Sequence, residues 1–189
     1  MKIFSRLTFI PIIFISFLNI NPTVAAENII IYAGTISRTI SINSLEKLAK
    51  TKQTEGTLKN MLNLANQNKE EVAEILNQEF DLPIILTSNL MNSKIGIVII
   101  SRLSKVIYPN KNPQESVSIP AIRSGVINGI VQGNGKLSLI GFLKAYPNKN
   151  IAIRYGALSK MINKAESMTD LVEFFTGSPL EKLKSNSST

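Results

Sequence analysis

The sequence predicts an α+β fold, mostly α-helical: a helical core with a small N-terminal β-hairpin joined by a late third strand. Three observations carry this. Two β-branched runs, Asn28–Tyr32 and Ser37–Ile42, flank Ala33-Gly34-Thr35, a turn sequence that admits positive φ. Helical periodicity then dominates to Ala145. Finally, Asn150–Tyr155 is again β-branched, and an isolated two-stranded hairpin needs such a partner for stability.

The first 26 residues read as an address. Lys2 and Arg6 form a positive start, Leu7–Leu18 is apolar, and Val24-Ala25-Ala26 supplies small residues for a signal peptidase. This order predicts a signal peptide over 1–26, export to the periplasm or beyond, and cleavage near Ala26. The alternative is a retained anchor, although the apolar run is shorter than the roughly twenty residues a bilayer span needs. Residues 27–177 then form one helical domain, and 178–189 a polar C-terminal tail.

Each element has a local reason. In the second strand Ile40 and Ile42 alternate with Thr39 and Ser41, the period of a half-buried strand. Ser44 is placed to cap a helix carrying Leu45, Leu48 and Ala49. Thr57 is placed to cap a second with Leu58, Met61, Leu62 and Ala65. Asn68, followed three residues on by Glu71, resembles a capping box. Helices are expected after Pro83 and over Ile95–Lys105. Tyr108–Glu115, with two prolines and two asparagines, reads as a loop. A helix over Ser118–Gln132 carries Ala121, Gly125 and Gly129 four apart, a stripe that admits close approach of another helix. Leu137–Ala145 is a further helix, ended by Pro147. The pattern recurs at Leu158, Met161, Ile162 and Ala165, and again at Leu171, Val172, Phe174 and Phe175. Gly177 and Pro179 stop it.

Composition excludes much chemistry. The 189 residues contain no cysteine and no histidine, so thiolate ligands, cysteine nucleophiles and any self-contained Ser-His-Asp triad are ruled out. The net charge of +8 is scattered rather than clustered. No nucleic-acid partner is therefore expected, and weak attraction to anionic surfaces is. Neither a cofactor nor a metal is expected, because no EF-hand, Rossmann or P-loop spacing occurs. Gly133-Asn134-Gly135 follows a helix and reads as its C-cap. Glu70, Glu71 and Glu74 sit at a helix start, where they favour the dipole. Tyr32, Tyr108, Tyr146 and Tyr155 are isolated rather than a stacking platform. Ser44-Leu45-Glu46-Lys47 matches S-x-x-K, in which Ser44 would be nucleophile and Lys47 its base. The companion S-D-N and K-T-G elements and the G-x-S-x-G elbow are absent from the chain.

Three ordered stretches carry a resemblance. They are Gly34–Ile42 followed by Leu45-Glu46, then Ala121–Gly125, then Leu139–Pro147 followed by Ile151–Arg154. From about Asn28 to Phe175 the chain resembles a cyanobacterial domain of unknown function labelled with the alpha/beta hydrolases. In longer relatives this helical region precedes a hydrolase domain. The resemblance implies an exported, non-catalytic accessory or binding module, whose partner is a hydrolase domain or another exported protein. It transfers no catalytic residue. The alternative is a small exported serine hydrolase without histidine, using Ser44 and Lys47.

Overall fold

A computed structural model describes residues 25–164. The expected signal peptide as far as residue 24, the helix expected over Leu171–Phe175 with its stop, and the expected polar tail lie outside the described residues. Among those described, eight helices and six strands form an α+β domain dominated by helices.

Strands β1 (Asn28–Ala33) and β2 (Ile36–Ser41) make the expected hairpin, with Gly34 at φ +63° in the two-residue turn. Strand β6 (Asn150–Arg154) joins β1 in parallel, so the helices between form one long crossover. An edge strand, β4 (Ile107–Pro109), pairs antiparallel with β6 and completes the order β2-β1-β6-β4. The register aligns Ile40, Ile29 and Ile151 across three strands, and all three are buried. Asn28 Nδ2 donates to Asn150 Oδ1 at 3.1 Å across the parallel pair.

That apolar face packs on helices. Leu45, Leu48 and Ala49 of α1 (Ile42–Thr51) meet Ala73 and Leu76 of α3 (Lys69–Asn77) in one core cluster. Ile122 of α6 (Glu115–Gln132) and Phe142, Leu143 and Tyr146, on or just after α7 (Leu139–Ala145), belong to the same cluster. The small-residue stripe of α6 does what its spacing suggests. A Cβ on Gly125 would lie 2.9 Å from Phe142 Cε2, and one on Gly129 would lie 2.6 Å from Leu137 Cδ1. The remaining helices are α2 (Gly56–Leu64), α4 (Ile84–Asn92), α5 (Lys94–Ser104) and α8 (Tyr155–Lys164). A small second sheet pairs β3 (Glu79–Asp81) with β5 (Lys136–Ser138).

Several boundaries differ from the sequence expectation. Ser44 is not the N-cap of α1. Strand β2 runs into α1 without a loop, so Ser41, still extended at ψ 138°, caps the helix by accepting from the Ser44 N–H at 3.2 Å. Thr57 lies inside α2, because Gly56 at φ +57° turns the chain into the helix just before it. The expected loop loses Tyr108 and Pro109 to β4. A proline is tolerated there because an edge strand leaves one side of its ladder unpaired. Helix α6 starts at Glu115 despite Pro120, and Leu137 and Ser138 lie in strand β5 where helix was expected. Asn68 does cap α3, its Oδ1 accepting from Glu70 and Glu71 N–H groups.

Candidate functional site

The S-x-x-K pair lies on α1. Ser44 is half-buried in the first turn, and Lys47 is exposed one turn on. An acyl-transfer site needs the base within hydrogen-bond reach of the nucleophile and donors for the oxyanion. Lys47 Nζ instead lies 3.0 Å from Glu55 Oε1, and among the described residues no hydrogen bond joins the Ser44 hydroxyl to Lys47. Glu46, between them in sequence, accepts from Lys144 at 2.7 Å and from Lys50 at 2.8 Å. These two ammonium groups, Lys144 first, hold the Glu46 carboxyl below the usual carboxylate range. Glu46 therefore clamps α1 to α7, which is a structural task.

The other motifs resolve in the same way. Asn68 tethers the start of α3, where Glu70 and Glu71 occupy the first turn, and Glu71 and Glu74 are exposed. The backbone N–H groups of the Gly133-Asn134-Gly135 turn are all engaged and form no phosphate cradle. The Gly133 N–H donates to Gly129 O, the Asn134 N–H to Val131 O, and the Gly135 N–H to Ile130 O. The four tyrosines are dispersed. The Tyr32 hydroxyl donates to Asn110 Oδ1 at 2.9 Å, and Tyr108 lies under the Arg154 guanidinium. Tyr146 is fully buried beside Phe142, and burial pushes its hydroxyl well above the usual phenol range. Its hydroxyl, with Thr87 Oγ1 and Ser118 Oγ, is buried without a hydrogen-bond partner among the described residues. Those same residues contain no cluster of acidic side chains able to hold a metal ion.

What the fold does assemble is an apolar surface. An open depression is lined by Leu82, Pro83, Ile84, Ile130 and Val131 together with Asp81 and the Asn134-Gly135 turn. Of the lining, Ile84 is 40% exposed and Val131 58%, and Ile85, the next residue of α4, is 75% exposed. Residues distant in sequence converge here because β3 pairs with β5, and the Leu82 N–H donates to Gly135 O at 2.9 Å. Sequence reasoning missed this surface, since Ile85 and Val131 sit in helices whose apolar residues all read as core. The available signal was the excess of large aliphatics in α4, α5 and α6 over what one buried helix face can hold.

Fold and site together define a small, mostly helical α+β domain with a mixed four-stranded sheet, one exposed apolar depression and no assembled nucleophile–base pair among the described residues. Residues 25–154 match the family described as alpha/beta hydrolase of unknown function (DUF1400), and the chain belongs to that family. No curated protein and no solved structure matches it. The matched region ends at the last residue of β6 and contains the three stretches that carried the resemblance.

Proposed function

We propose that this chain is an exported, non-catalytic accessory module that docks on an alpha/beta-hydrolase domain. The observation that carries the reading is the apolar depression at the start of α4 and the end of α6, with Ile85 and Val131 turned to water. Exposed aliphatic patches rimmed by polar groups mark protein-binding surfaces. The family label supports the kind of partner, and the pattern of Lys2, Arg6, Leu7–Leu18 and Val24-Ala25-Ala26 supports export. The hydrolase chemistry then belongs to the partner. A hydrolase sheet is largely parallel with its nucleophile on a strand–turn–helix elbow, whereas the family-matched region here has a single parallel strand pair.

The test is calorimetric titration of the chain with the hydrolase domain of a longer family member. The parent chain is expected to bind. An Ile85→Asp/Val131→Asp double variant, altered only at exposed positions, is expected to bind at least about tenfold more weakly, since each site loses apolar burial of 1 kcal/mol or more, roughly. Equal affinity of parent and variant would remove the depression from the interface.

A further inference from the structure

We propose that the outward face of α5, extended by Arg154, is a docking surface for anionic lipid bilayers. This face is separate from the depression and does not depend on it. Along α5, Lys94, Ile95, Val98 and Arg102 fall on one side by helical spacing, and Lys105 at the C-cap continues the row. All five are exposed, Ile95 at 61% and Val98 at 51%. Arg154 joins them from β6: its guanidinium donates to the Lys105 carbonyl at 2.9 Å. The face thus carries Lys94 at its start, Ile95 and Val98 after it, and Arg102 and Lys105 at its end, where Arg154 is anchored to the helix C-cap.

The electrostatics of this region are one-sided. From Leu82 to Gln114 the sequence has no acidic residue, and Lys94, Arg102, Lys105 and Lys111 all fall there. Elsewhere several lysines are paired with carboxylates. Lys136 pairs with Glu79, Lys144 with Glu46 and Lys149 with Glu27. Lys94, Arg102, Lys105 and Arg154 form no ion pair among the described residues.

Charge complementarity selects an anionic partner, and the apolar residues select lipid over protein. The tight anchors of protein interfaces are enriched in Trp, Tyr and Arg packed in pockets, whereas Ile95 and Val98 protrude from a convex helix. Cations flanking protruding aliphatics is the arrangement of helices that lie in a membrane interface. Among the described residues no single helix is long and apolar enough to cross a membrane. Helices α4 and α5 together are, but they are bent by 81° at Ser93. That bend makes the pair a corner that presents α5 lengthwise.

The experiment is vesicle co-sedimentation of the full chain on phosphatidylcholine alone and on phosphatidylcholine mixed with phosphatidylglycerol. All variants are prepared in the same full-length form, so the Leu7–Leu18 run contributes equally to each. The parent is expected to prefer the anionic vesicles and to lose that preference as salt screens the attraction. Arg102→Glu/Lys105→Glu should bind them at least roughly 25-fold more weakly, each cation contributing about fivefold near an anionic surface. Ile95→Ser/Val98→Ser should weaken binding as well, with thermal midpoints unchanged. Should a double variant fold poorly, Lys94→Glu tests the same face, because an acidic residue in a first helical turn does not destabilise it. Equal binding of parent and charge-reversed variants to anionic vesicles would overturn the proposal. So would binding to polyglutamate without binding to vesicles, which would point to an acidic protein.

Discussion

At the scale of single residues, Glu46 shows how a motif suggestive of catalysis is absorbed by structure. It lies inside the S-x-x-K match, yet its Oε1 accepts from Lys144 and Lys50 and ties α7 to α1. The ammonium partners lower its pKa, so its contribution to stability is present above the ordinary value of 4.5 and is lost as the pH falls through the lower folded-state value. Glu46→Gln is therefore expected to cost at most about 1 kcal/mol near neutrality, the scale of partly exposed ion pairs. The gap between parent and variant should shrink once the pH drops below 4.5. Denaturant titrations at neutral and acid pH check this. A gap independent of pH would show that the two lysines do not depend on the Glu46 charge. Ser44 illustrates a limit of local reading. Either Ser41 or Ser44 is a competent cap by type, and the choice fell to Ser41 only because β2 ends there, a fact set by pairing with β1.

At the scale of elements, legibility tracked how much of the signal is local. The hairpin, β6 and the spans of α3, α4 and α5 were readable from period and punctuation, which are local signals. Strands β3, β4 and β5 were not, because three residues are too few to show alternation. Their existence depends on partners far away in sequence. The close contact of α6 with α7 was legible, because only small residues four apart permit it. Gly125 meets the Phe142 and Tyr146 rings, which are themselves edge-to-face at 5.7 Å between centroids. Gly125→Leu should overpack this contact and cost typically 1–3 kcal/mol, read as a lower denaturant midpoint. An unchanged midpoint would mean that α7 is free to move away from α6. The apolar depression was illegible for the opposite reason. Its residues have core-like identities and become surface only through the way α4 and α6 are mounted.

At the scale of the whole molecule, the chain separates two properties that its family description joins. It belongs to a family labelled as hydrolases, while its entire sequence lacks histidine, cysteine and the elbow motif. In the serine–lysine alternative, general acid–base help worth about 10²–10⁴-fold would come from Lys47, whose ammonium is engaged by Glu55 at 3.0 Å. The proposed binding role rests on the exposed apolar depression and on the cationic α5 face. The most direct measurement is ester hydrolysis by the purified chain, on short-chain and long-chain substrates, beside a Ser44→Ala variant that leaves the Ser41 cap intact. The account predicts that both proteins show the same rate as buffer alone. Turnover that persists through repurification and disappears in a folded Ser44→Ala variant would contradict it.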